Sequence, residues 1–176
     1  MRKVLVVGNG GSGKSTFSIR LGASINIPVV HLDEHYWRPN WVETPKDEWR
    51  KIVQSLIVAD SWVMDGNYSG TLRERMMASD TIIYFNRSRI QCLFGVLSRR
   101  ISGKRADAIQ GCPERLDLQF IKWIWKYPKV NHPTIMKLLD EFRTTKEIIV
   151  IKNRRSARKL IEETTRVRSN AEKCSP

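Results

Sequence analysis

The sequence predicts an α/β fold, a five-stranded parallel sheet flanked by helices and doubly wound. Three observations predict it. Short β-branched apolar runs recur along the chain, each followed by a stretch with helical spacing of apolar residues. The first run, Val4-Leu5-Val6-Val7, opens directly into Gly8-Asn9-Gly10-Gly11-Ser12-Gly13-Lys14-Ser15, which fits G-x-x-x-x-G-K-[ST]. The second and third runs finish in aspartates, Asp33 and Asp65, at the strand ends where α/β sheets bind ligands.

Val4-Leu5-Val6-Val7 has the composition of a strand buried on both faces. Phe17, Ile19, Leu21 and Ile25 follow at rough helical spacing, so a helix starts where the glycines end. Glycines let the backbone wrap an anion with its N–H groups turned inward, and the new helix adds its own free N–H groups and positive dipole end. This predicts a polyphosphate cradle built from Gly8, Gly10, Gly11, Ser12, Gly13, Lys14, Ser15 and Thr16. Lys14 reaches the β/γ-phosphates in such a loop, and the Ser15 hydroxyl is placed for Mg²⁺.

Ile27-Pro28-Val29-Val30-His31-Leu32-Asp33 reads as the second strand, with Asp33 at the carboxyl edge of the sheet. Residues 34–41 have no clean period and predict a loop over the site, where Tyr36, Trp37 and Trp41 either receive a flat ligand or anchor the loop to the core. Thr44-Pro45 starts a helix with an apolar stripe of Trp49, Ile52, Val53, Leu56 and Ile57. Trp62-Val63-Met64-Asp65-Gly66 is the third strand, and Asn67-Tyr68-Ser69-Gly70 turns into a short helix carrying Arg73 and Arg75. Thr81-Ile82-Ile83-Tyr84-Phe85 is the fourth. Ser88 caps a helix that runs through Ile101, after which the glycines, proline and charges of 102–114 predict a mobile excursion. Leu118, Ile121 and Trp125 predict a helix stopped near Pro128, and His132-Pro133 opens another with Ile135, Leu138, Leu139 and Phe142. Glu147-Ile148-Ile149-Val150-Ile151 is the fifth strand, Ser156 caps a terminal helix, and 166–176 reads as a polar, frayed tail. The whole of 1–176 is expected to form one domain, with a helical, basic, lid-type insertion over 88–145.

A 176-residue chain with 41% hydrophobic residues can fill one substantial core. No apolar run approaches the ~20 residues of a membrane span, so a cytoplasmic protein with no membrane partner is expected. Cys92, Cys112 and Cys174 are odd in number and scattered, the pattern of reduced thiols. His31 and His35 flank Asp33-Glu34 on a strand entering a loop, which does not set them on one face as a transition-metal pair. The net charge of +13 gathers in two places, Arg87 to Arg105 and Lys152 to Lys159. It attracts polyanions, whether a nucleotide, a phosphorylated acceptor or nucleic acid.

A nucleotide cradle of this kind needs a carboxylate near Mg²⁺, and Asp65 is the first choice. Asp33 then orients or deprotonates an acceptor hydroxyl, or shares the metal's hydration shell.

The order of this cradle, Asp33, Asp65-Gly66 and Arg100-Ile101-Ser102-Gly103-Lys104-Arg105 resembles the adenylate-kinase-like P-loop kinases. More narrowly, His31-Leu32-Asp33-Glu34-His35-Tyr36-Trp37, Asp65-Gly66-Asn67-Tyr68 and Lys152-Asn153-Arg154-Arg155 are similar to bacterial DNA topology modulation proteins, a group within that class. The likeness covers about residues 3–160. It implies ATP- and Mg²⁺-dependent phosphoryl transfer to a small-molecule acceptor: a nucleotide, a nucleoside or another hydroxyl compound. It also implies that Arg100, Lys104 and Arg105 close over the transferring group, and that Lys152 and Asn153 begin the adenine-contacting loop. The acceptor half then falls among Asp33, Tyr36, Trp37, Tyr68 and Arg73. The family's D-G-[FY]-P-R places an arginine four residues after its aspartate; here that residue is Ser69, and Arg73 is the substitute from the next helix. The alternative is a nucleic-acid-associated NTP-binding regulator, favoured by the charge and the family's name, although no helix-turn-helix, zinc-finger or RNA-binding signature is present.

Overall fold

The computed structural model describes residues 1–102, 109, 111–112 and 118–173; Lys104, Arg105 and Cys174 lie outside them. The chain begins with β1 (Lys3–Gly8), the glycine-rich turn and α1 (Lys14–Ile25). β2 (Val29–His31), α2 (Leu32–Tyr36) and a ribbon of β3 (Trp37–Arg38) and β4 (Val42–Glu43) follow. Next come α3 (Lys46–Ile57), β5 (Trp62–Asp65), α4 (Ser69–Ala78) and β6 (Thr81–Phe85). α5 (Arg89–Ser102), α6 (Leu118–Phe142), β7 (Glu147–Ile151) and α7 (Arg154–Lys173) complete it.

The five apolar runs form one sheet in the order β2-β5-β1-β6-β7, with every neighbouring pair parallel. β1 is central, which is why Val4, Leu5, Val6 and Val7 are all fully buried. Its alternate residues feed two cores. Leu5 and Val7 face α3, α4 and α6 through Trp49, Val53, Leu72, Met76, Tyr127, Ile135 and Leu139. Val4 and Val6 face α1 and α7 through Phe17, Leu21, Leu160 and Ile161. After β1 the chain winds to β2 and β5 on one side and then to β6 and β7 on the other. The glycine-rich turn therefore leaves the sheet at its topological switch point, where a crevice opens beyond the strand ends.

Several expectations are corrected. The second strand stops at His31, and Asp33 sits in the first turn of α2 rather than at a strand end. The expected loop over 34–41 is the end of α2 and a β3–β4 ribbon that turns through Pro39–Trp41, where Asn40 and Trp41 take left-handed φ values of 64° and 63°. Thr44 does not cap α3; its hydroxyl donates to the Tyr36 carbonyl at 2.7 Å and closes the ribbon. The two helices expected around Pro128 and Pro133 are one helix, α6, with both prolines inside. Asn153, not Ser156, caps α7, with Ser156 N–H donating to Asn153 Oδ1 at 2.9 Å. α7 then continues to Lys173 through residues expected to fray. Among the described residues no helix is long and apolar enough to cross a membrane.

Candidate functional site

The turn from β1 into α1 carries the features of an anion cradle. Gly13 is the N-cap in a left-handed conformation at φ 92°, which a side chain would strain, and a Cβ there would meet nothing within 4 Å. α1 has no side-chain cap and no acidic residue in its first turn, so its positive end is uncompensated. The Ser12 hydroxyl is buried without a hydrogen-bond partner. An orphaned donor beside free helix N–H groups fits a bound polyphosphate. Lys14 Nζ donates to the Asn9 carbonyl at 3.0 Å, folded across the loop it would serve.

The other helices hold this loop rigidly from behind. A Cβ on Gly95 of α5 would lie 2.1 Å from the Gly11 carbonyl, and one on Gly11 would lie 2.2 Å from the Cys92 carbonyl, so backbone packs on backbone. Phe120 and Trp123 of α6 lie against Gly10. Pro128 lacks an N–H, which frees the carbonyl four residues earlier, that of Ile124. Asn9 Nδ2 donates to that Ile124 carbonyl at 3.0 Å. A helix-breaking residue in α6 thus supplies an acceptor that fixes the cradle. Asn67 Oδ1 accepts from Gly8 N–H and from the Tyr127 hydroxyl, both at 3.1 Å, and ties the start of the loop to α6.

Two carboxylates stand on neighbouring elements. Asp65 ends β5 beside Val6 of β1, is 4% exposed, and accepts from His31 Nδ1 at 2.9 Å. Register explains the pair, because His31 is Asp65's partner across the β2–β5 ladder. Ser15 and Asp65 are oxygen donors of the kind that suit Mg²⁺, held directly or through water. Asp33 accepts a 2.6 Å hydrogen bond from the Tyr68 hydroxyl. Burial first, and then the Asp33 charge, push the Tyr68 phenol far above its ordinary range, so it stays a donor. Its ring is clamped by Tyr36 at 4.5 Å and Trp49 at 4.8 Å between centroids. Tyr36 therefore anchors Tyr68 and the core, whereas Trp37 and Trp41 pack on each other at 5.5 Å in the ribbon.

Arg73 is not at the site. It pairs with Glu141 and lies over the Phe142 ring at 5.9 Å. That is the far end of α6, roughly 30 Å along the helix from Phe120. The α4 face that packs inward is Thr71, Leu72, Arg75 and Met76, which turns Arg73 out. Arg75 does the inward work. It is 0% exposed and donates to the carbonyls of Gly66, Asn67 and Tyr68 at 3.0, 2.5 and 2.9 Å. Burial lowers its pKa to about 9, so it remains charged at neutral pH. The three carbonyls it gathers hold Tyr68 at φ 30°, a strained angle for a residue other than glycine.

On α5, Arg100 is exposed, whereas Arg99 is partly buried and continues the row of Cys92 and Gly95 that meets the cradle. Arg87 Nη1 donates to the Ser12 carbonyl at 3.3 Å. Lys152 is exposed at the end of β7, and the Asn153 side chain is engaged in capping α7. Sequence reasoning missed Asn9, Asn67, Arg75 and Arg87, whose side chains hold the cradle and the turn that carries Tyr68. Only the row of Cys92, Gly95 and Arg99, spaced three and four apart, left a readable signal.

A parallel sheet of this order with a glycine-rich cradle at its switch point is the fold of the P-loop kinases. Solved structures of kinases with named activities share this fold. Shikimate kinase from Acinetobacter baumannii in complex with shikimate is similar with a TM-score of 0.61 and 15% identity, over 99% of this chain and 96% of that one. A gluconokinase from Sinorhizobium meliloti gives a TM-score of 0.50 and 14% identity, over 99% and 98%. A second shikimate kinase, from Bacteroides thetaiotaomicron, gives 0.50 and 11% over 94% and 97%. No protein-family model and no curated protein sequence matches the chain.

Proposed function

We propose that this protein transfers a phosphoryl group from ATP to a hydroxyl of a small molecule. The observation that carries this reading is the pairing, at one sheet edge, of an uncompensated phosphate cradle with a carboxylate held by a tyrosine. The cradle N–H groups and Lys14 hold the donor phosphates, and Ser15 with Asp65 hold Mg²⁺, which offsets phosphate charge. Asp33 takes the proton of the attacking hydroxyl, and Tyr68 keeps its carboxylate aimed. Arg99 and Arg100, with Lys104 and Arg105, are the cations that meet the transferring group. Lys152 lies where the adenine is received.

The fold neighbours named for shikimate and gluconate suggest a hydroxyl-bearing metabolite as acceptor. Ser69 stands in place of the family's arginine and Arg73 is turned to Glu141, so neither position supplies a cation for an AMP phosphate. A panel of nucleosides, nucleotides, sugars, sugar acids and cyclic alcohols, each supplied with ATP and Mg²⁺, tests the reading. Transfer to none of them, with ATP bound, would leave it without support.

A second reading rests on the exposed cluster of Lys152, Arg154, Arg155, Arg158 and Lys159 around the start of α7, whose first turn carries no acidic residue, with Lys159 pairing to Glu163 at 3.6 Å one turn on. It suits a nucleic-acid backbone and agrees with the likeness to DNA topology modulation proteins. A salt titration of DNA binding separates the two readings; an affinity no steeper in salt than one or two phosphate contacts speaks against it.

A further inference from the structure

Between the β6–α5 turn and the middle of α6 lies a cavity of about 420 Å³, and no residue of the cradle lines it. It belongs to the α6 side of the sheet, with Tyr84 and Tyr127 as walls, whereas α1 covers the other side. Its volume is that of a small-ligand site. Arg87, Arg89 and His132 line it, and no carboxylate does. The first N–H groups of α5, at Arg89 and Ile90, have no acceptor within the helix and open at the same place. Arg89 is braced over the Trp125 ring at 4.4 Å, and the Tyr84 hydroxyl and His132 Nδ1 are 2.6 Å apart.

Arg87 connects this cavity to the cradle. One of its terminal nitrogens donates to the Ser12 carbonyl, while its Nε is buried with no partner. We infer that this cavity is a second anion site, which takes a phosphate ester with a small ring and acts on the cradle through Arg87. The ring packs against Pro128 and the exposed Ile90, and the phosphate meets Arg87, Arg89 and the start of α5. Because Arg87 also grips the loop, an occupant that draws it away changes nucleotide affinity, and nucleotide changes the occupant's affinity by the same factor.

The inference stands apart from phosphoryl transfer, since binding is read without turnover. Calorimetry with phenyl phosphate on wild type and on Lys14→Ala is expected to show one site of equal affinity in both. Arg89→Gln is expected to weaken it at least tenfold with an unchanged thermal midpoint. Should Arg89→Gln fail to fold, His132→Gln is expected to give the same loss from α6. Saturating phenyl phosphate is expected to shift the wild-type affinity for an ATP analogue at least threefold. Binding that vanishes in Lys14→Ala and survives Arg89→Gln would assign the anion to the cradle and overturn the inference. Phenol binding as tightly as phenyl phosphate, or no binding at all, would also overturn it, and an unmoved ATP affinity would overturn the coupling through Arg87.

Discussion

The Tyr68 hydroxyl holds the Asp33 carboxylate, and the buried Arg75 guanidinium holds the turn that carries Tyr68. Asp33→Asn is expected to lower kcat by about 10²–10⁴ while leaving ATP affinity within about threefold, because the carboxylate serves the acceptor proton and not the donor. A kcat/KM split from steady-state kinetics checks this. Arg75→Met would strand the carbonyls of Gly66, Asn67 and Tyr68. It is expected to cost at least about 2 kcal/mol in urea denaturation, the desolvation penalty of buried acceptors left unmade. Lys14 and Ser15 were legible because the motif fixes their places in a turn that is almost wholly local. Arg75 was not, because Arg73 and Arg75 are equally plausible in the sequence. Only the packing of Thr71, Leu72 and Met76 against the sheet decides which one points inward.

At the scale of elements, α6 connects the cradle to the rest of the molecule. Pro128→Ala restores an N–H that can claim the Ile124 carbonyl, in competition with Asn9. The expected result is a thermal midpoint equal to or above wild type together with a several-fold weaker affinity for ATP, read by scanning calorimetry and titration. The sequence predicted two helices here because proline normally ends one. The continuous helix shows that a freed carbonyl with a partner elsewhere is tolerated. Asp80 plays a comparable part for the strands. Its Oδ2 accepts from the N–H groups of Arg2 and Lys3 at 2.6 and 2.8 Å, and its Oδ1 accepts from the Thr81 hydroxyl at 2.6 Å. Partial burial alone would raise its pKa, but these hydrogen bonds outweigh that and hold it below the ordinary 3.8. A depressed carboxylate stabilises the fold above the unfolded pKa and loses that contribution as pH falls through the folded value. Asp80→Asn is therefore expected to cost about 1 kcal/mol at pH 7, with solvent screening keeping it modest. The gap to wild type should close as urea titrations move below pH 3.8, toward full protonation.

In the whole molecule, β1 at the centre of a β2-β5-β1-β6-β7 sheet sets the cradle between two sets of helices that approach it from opposite faces. The five strands and their parallel winding were legible because buried parallel strands are continuous apolar runs, and a helix must cross between them. The acceptor half was less legible. Asp33, Tyr68, Tyr36 and Trp49 meet from three different elements, and their side-chain geometry is a product of tertiary packing with no local pattern to announce it. The charge of +13 likewise identifies anions as ligands without assigning each cation to one of them. The most direct measurement is transfer of label from γ-labelled ATP to a panel of hydroxyl compounds with Mg²⁺, run on wild type and on Asp33→Asn. A labelled product is expected with at least one acceptor, reduced about 10²-fold or more in Asp33→Asn while ATP binding persists. ATP bound firmly with no acceptor labelled, or equal labelling by Asp33→Asn, would contradict it.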